Sequence, residues 1–169
     1  MLKDYKKHCE ERKEQGIPPL PLSAQQTSDL VELLKSEHAE SQLLLELLKE
    51  RIPAGVDQAA YVKAGFLADI TTGETSSSYI SKKEAVIILG TMLGGYNIQP
   101  LIQCLKSDEL GEAAATALST TLLIFDAFNE VLALSETNKN AKTVIDAWAE
   151  GTWFKEKQEI SEQIRLTVY

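Results

Sequence analysis

From Ser23 onward, helix-start signals, apolar stripes at helical spacing and helix-stop residues follow one another in regular order. Ser23 with Gln26 forms a capping box, and Thr27, Leu30, Val31 and Leu34 then recur at i, i+3, i+4 and i+7. Leu43, Leu44, Leu47 and Leu48 make the next stripe, closed by Pro53 and Gly55. Asp57 caps a segment carrying Ala60, Ala64, Leu67 and Ala68, and Gly73 is placed to end it. Ser81 and Glu84 form a second capping box, ahead of Val86, Leu89 and Leu93. Asn97 is an expected N-cap, with Pro100 in the first turn, where a missing N–H breaks no internal bond. Residues 109 to 134 are almost continuously helix-compatible, with a soft spot at Ser119, Thr120 and Thr121. Ala141, Val144, Ile145 and Trp148 supply the last stripe.

Helix pairs are therefore expected to start near residues 23, 57, 97 and 138, a period suited to an all-α, HEAT-like superhelical stack of antiparallel pairs. An irregular helical bundle is the alternative. Ahead of the stack, residues 1–16 read as a charged helical arm. Residues 17–22, with Pro18, Pro19 and Pro21, read as a stiff connector. The stack itself is expected over 23–160. Residues 161–169 break the pattern: Ile164, Leu166 and Val168 alternate with Arg165, Thr167 and Tyr169 at strand period. A lone strand after helices reads as the start of a link to a following domain.

Charge and motifs exclude several classes of function. The net charge of −8 disfavours a nucleic-acid backbone or an anionic membrane as the main partner. No apolar run is long enough to span a bilayer, and the charged N-terminus is unlike a signal peptide, so the expected compartment is the cytoplasm. No P-loop, dinucleotide fingerprint, HExxH or GxSxG is present. The two cysteines, Cys9 and Cys104, cannot supply the three or four thiolates of an iron–sulfur cluster. His8 beside Cys9 lacks the second pair a metal site needs, and His38 reads as a solvated loop residue. No catalytic, cofactor-binding or metal-binding residue is assigned. The tyrosines at 5, 61, 79 and 96, with Trp148, Trp153 and Phe154, read as packing residues.

Two stretches stand apart. In "LGTMLGGYNIQPLI", Gly94 is expected to take the left-handed position ending one helix, Gly95 to allow a tight turn, and Asn97 to cap the next helix. Tyr96 and Gln99 are left without a structural task. In "TLLIFDAFNEVL", Asp126 and Asn129 lie nearly one turn apart and could share a cavity, although the polar edge of an amphipathic helix explains them as well.

"AYVKAGFLADI", "LGTMLGGYNIQPLI", "ALSTTLLIFDAF" and "DAWAEGTWF", in that order, with the opening "YKKHCEERKEQGIPPLPL", resemble the N-terminal region of bacterial aconitate hydratase B over essentially the whole chain. The resemblance implies a HEAT-like domain preceding the swivelling and iron–sulfur domains of a hydro-lyase. That parent interconverts citrate and isocitrate through cis-aconitate, and its [4Fe–4S] ligands lie downstream of Tyr169. It further implies contacts with the downstream domains, self-association, and a part in shaping the approach to the active site. Some family members also bind messenger RNA. The family pattern carries His after "GGYNI", where this chain has Gln99. Gly94, Gly95, Tyr96, Asn97, Gln99, Asp126 and Asn129 are thus candidates for a passage or an interface. A free-standing helical adaptor for another protein is the second reading, and an RNA-binding module the third.

Overall fold

The structure is a computed structural model that describes residues 1–121 and 125–150, with only the backbone described at 125 and 126. Among these residues every regular element is an α-helix. They are α1 (Leu2–Glu14), α2 (Ala24–Leu34), α3 (Ser41–Glu50), α4 (Gln58–Thr72), α5 (Lys82–Gly90), α6 (Ile98–Cys104), α7 (Gly111–Ser119), α8 (Phe125–Ser135) and α9 (Lys139–Ala149). The strand-like end, Trp153 and Phe154 lie outside the described residues.

The short-range signals act as the sequence implies. Ser23 Oγ accepts the Gln26 N–H at 3.2 Å while Gln26 Oε1 accepts the Ser23 N–H at 2.9 Å. Ser81 and Glu84 repeat the arrangement at 3.2 and 2.8 Å. The Ser81 bonds hold the Glu84 carboxyl below its ordinary pKa. Asp57 caps α4 through the Ala59 N–H at 2.8 Å, and Gly73 ends it with φ at +88°. α7 stops at Ser119, within the expected soft spot.

Consecutive helices pair as α2 with α3, α4 with α5, α6 with α7 and α8 with α9. α2, α4, α6 and α8 follow one another along one layer, and α5, α7 and α9 stack in the other. That two-layer order is the helical stack expected from the periodicity. Leu30, Leu34, Leu44, Leu48, Leu67, Leu89, Leu101, Ile102, Leu105 and Leu118 are fully buried between the layers. The fourth pair begins at Phe125, not near 138. The stripe from Ala141 to Trp148 is the second helix of that pair, and it buries Trp148 against α7 through an indole bond to the Leu118 carbonyl at 2.9 Å.

α1 and the proline segment are tied to the stack rather than projecting from it. Tyr5 is buried, and its hydroxyl donates to the Leu20 carbonyl at 3.1 Å. Arg51, just past α3, donates to Tyr5 Oη at 3.0 Å and to the Pro19 carbonyl at 2.5 Å. Arg12 donates to the Pro18 carbonyl at 2.9 Å, and His8 Nε2 accepts the Leu20 N–H at 3.0 Å. The Leu22 N–H closes the clasp on the Arg51 carbonyl at 2.8 Å. The prolines carry no N–H to donate, and the Pro18 and Pro19 carbonyls are met by Arg12 of α1 and by Arg51 just past α3. His38 is likewise engaged: Nδ1 accepts the Glu40 N–H at 3.0 Å, and its backbone bonds with Tyr79 Oη.

One charged residue sits in the core layer. Lys63, 5% exposed on α4, has its ammonium pKa pushed down by burial, partly offset by Glu50. No helix among the described residues is long and apolar enough to cross a membrane.

The clasp predicts that Arg51→Ala costs about 1.5–3 kcal/mol, the scale for hydrogen bonds to a charged donor. Urea denaturation should show it as a lower midpoint at unchanged slope.

Candidate functional site

The seven residues after α5 form a corner whose geometry departs from the sequence expectation. α5 ends at Gly90, and the Thr91 and Met92 N–H groups bond back to Ile88 and Leu89 at 3.1 Å. The chain therefore leaves the helix before Leu93, which does not line it but stands 68% exposed. Gly94 and Gly95 both have φ at +98°. Neither ends α5, since the helix is already closed four residues before Gly94. Gly94 instead rests on Gly55 in the loop before α4, where a Cβ would lie 2.3 Å from the Gly55 carbonyl carbon. The Gly55 N–H donates to the Leu93 carbonyl at 3.2 Å, so two left-handed glycines meet backbone to backbone.

Asn97 does not cap α6. Its backbone is already helical and its side chain makes no cap bond. The amide is turned backward, with Nδ2 donating to the Leu89 carbonyl at 2.8 Å and to the Met92 carbonyl at 3.1 Å. The Leu89 carbonyl also accepts the Met92 N–H, so the amide adds a second donor there and supplies one to Met92 beyond the helix end, and Asn97 is only 1% exposed. Two backbone acceptors met by one buried NH2 outweigh a cap bond that solvent can replace. The remaining oxygen, Oδ1, is buried without a hydrogen-bond partner.

This pin sets the positions of Tyr96 and Gln99. The Tyr96 hydroxyl donates to the Val56 carbonyl at 3.2 Å, and its ring meets Tyr61 edge-on at 5.3 Å. Tyr61 is 59% exposed, so it is not the packing residue expected. Gln99 is exposed and donates from Nε2 to Glu130 Oε2 at 2.8 Å, joining α6 to α8. Glu130 was not singled out in the sequence, because only the stacking of α6 on α8 brings it near. Asn129 is exposed on α8, and the Asp126 side chain lies outside the described residues. Beside the corner runs an open groove of about 360 Å3, walled by Val31, Tyr61, Phe66 and Tyr96 and edged by Lys35 and Asp69.

The groove surface is mainly apolar, with a tyrosine pair at one end and neither histidine nor cysteine in its lining. Among the described residues no three His, Cys, Asp or Glu side chains converge to hold a metal ion. Cys104 is buried on α6, and burial raises its thiol pKa, partly offset by Thr71.

The profile of the Aconitate B N-terminal domain matches residues 4–154. The chain belongs to that family. It is 58% identical to aconitate hydratase B of Synechocystis sp., 52% to that of Pseudomonas aeruginosa and 48% to that of Escherichia coli. In each case the alignment takes in 100% of this chain and 20% of the relative, so the chain spans about a fifth of their length.

Gly94→Ala places a side chain at positive φ and against Gly55, and the backbone strain alone is expected to cost about 1–3 kcal/mol. Asn97→Ala removes both amide bonds while the Leu89 carbonyl keeps its Met92 N–H, and is expected to cost about 1–3 kcal/mol. Both changes loosen the same turn, so chemical denaturation of the double variant should show a loss smaller than the sum of the two.

Proposed function

We propose that this chain is the non-catalytic, HEAT-like N-terminal domain of an aconitate hydratase B acting in the cytoplasm. The parent enzyme would interconvert citrate and isocitrate through cis-aconitate. The observation that carries this reading is the family match over 4–154 in a chain spanning a fifth of its relatives' length. Residues 23–160 form the helical body in this reading, residues 1–22 the arm and connector, and residues 161–169 begin the link to the next domain.

The residues present do not fit the [4Fe–4S] cluster expected in the parent. Cys104 is buried on α6, Cys9 lies on α1, and the sequence has no third cysteine. No chemical step is therefore assigned to this chain. Its role is contact: with the downstream domains, with a second copy in self-association, and along the route by which substrate reaches the active site. The corner of Gly94, Gly95, Tyr96, Asn97 and Gln99 borders that route, with Asp126 and Asn129 on the neighbouring helix. Gln99 offers a neutral amide there, which orients by hydrogen bonding and does not titrate.

The 169-residue chain alone is expected to show no turnover of citrate or isocitrate. In the full-length enzyme, Tyr96→Ala should lower kcat/KM by about two- to tenfold without changing the cluster's absorption spectrum, because the residue positions and does not react. An unchanged kcat/KM would count against the passage role, and turnover by the chain alone would count against the non-catalytic one.

A further inference from the structure

Both histidines of the chain accept a hydrogen bond from a backbone N–H. His8 Nε2, on α1, takes the Leu20 N–H at 3.0 Å. His38 Nδ1, in the loop between α2 and α3, takes the Glu40 N–H at 3.0 Å. A ring nitrogen accepts through its lone pair, so each bond requires a neutral imidazole. On a protonated ring both nitrogens carry a hydrogen, and a donor would face a donor. Imidazole is also the side chain whose ordinary titration falls between about pH 5 and 8.

The two rings stand where α1 is tied down. α1 takes no part in the close helix-on-helix pairing that joins α2 to α9. Apart from the buried Tyr5, it is held largely by polar bonds: Tyr5 Oη and Arg12 reach the Leu20 and Pro18 carbonyls, His8 takes the Leu20 N–H, and Lys6 pairs with Glu40. The Glu40 carboxyl is held below its ordinary pKa chiefly by Lys6, with His38 adding to the effect.

The charges around each ring favour release once a proton is taken up. On α1 itself, Arg12 lies one turn after His8 and Asp4 one turn before it. Asp4 faces the N-terminal ammonium at 3.9 Å, and Glu11 is paired with Lys7 at 3.5 Å. Arg51, from the end of α3, bonds the Pro19 carbonyl beside Leu20. A proton on His8 therefore adds a third cation next to Arg12 and Arg51. His38 lies beside Glu37 in the chain and is bonded through its backbone to Tyr79 Oη. Once protonated, its ring competes with Lys6 of α1 for the Glu40 carboxylate. Leucines and isoleucines that do not titrate fill the space between the layers of the stack itself.

We infer that His8 and His38 form a pH-sensitive latch on the N-terminal arm. With both rings neutral, α1 and the proline segment are held on the stack. As pH falls and the rings take up protons, both acceptors are lost and the arm detaches, while α2 to α9 stay folded.

The test is amide hydrogen exchange on the full chain at pH 7.5 and 5.5, with each rate divided by that of the unstructured amide at the same pH. The Leu20 and Leu22 N–H groups report the arm, and the Gly73 N–H, bonded to Asp69 at the end of α4, reports the stack. Protection at Leu20 and Leu22 should fall by about tenfold at pH 5.5, with Gly73 unchanged, since one lost hydrogen bond is worth up to about a factor of ten. Glutamine carries its amide oxygen near the place of Nε2 and asparagine near that of Nδ1, and neither titrates. The His8→Gln, His38→Asn double variant should therefore keep its protection at pH 5.5. His8→Arg, a permanent cation, should lack protection at Leu20 already at pH 7.5. Equal protection of the parent chain at both pH values would overturn the inference. So would a loss shared by Gly73, a loss that persists in the double variant, or parent-like protection in His8→Arg.

Discussion

The amide of Asn97 makes two hydrogen bonds on which the rest of the corner depends. By donating to Leu89 and Met92 it ties the start of α6 to the end of α5 and the turn that follows it. Leu93 then meets Gly55, Gly94 lies on the Gly55 backbone, and Tyr96 reaches Val56. The loop before α4 and the turn after α5 thereby lock against each other. One polar side chain, with both amide hydrogens bonded, thus holds the turn between α5 and α6.

The corner also explains why apolar side chains stand in water here. A turn built from two positive-φ glycines and a buried asparagine has few positions left whose side chains point inward. Val56 and Leu93 are the residues next to the two glycines that meet, and they project outward because the backbones touch. The same construction supplies the surface that the proposed function uses. The clasp on the proline segment follows a similar economy: carbonyls that proline cannot pair locally are met by Arg12, Arg51 and Tyr5.

What could be read from the sequence was short in range. The capping boxes at Ser23 and Ser81, the cap at Asp57 and the stop at Gly73 each depend on residues within a few positions, and each forms as read. Asn97 was misread because its partner carbonyls lie five and eight residues back, across a turn whose path no local rule specifies. Leu93 continues the apolar spacing of α5 but falls beyond the helix end at Gly90. The start of the fourth pair was hidden because residues 109–134 favour helix throughout, so composition marks no restart at Phe125. Glu130 and Tyr61 gain their meaning from stacking between pairs. The family resemblance rested on ordered segments along the whole chain, which is why it extended further than the corner's chemistry did.

Amide hydrogen exchange on this chain tests the central role of Asn97 most directly. The Gly55 N–H, bonded to Leu93, reports the corner, and the Leu22 N–H, bonded to Arg51, reports the clasp on the proline segment. In Asn97→Ala, protection at Gly55 should fall by about tenfold or more while protection at Leu22 stays as in the parent chain. Unchanged protection at Gly55, or an equal loss at both amides, would contradict the claim that Asn97 holds this corner.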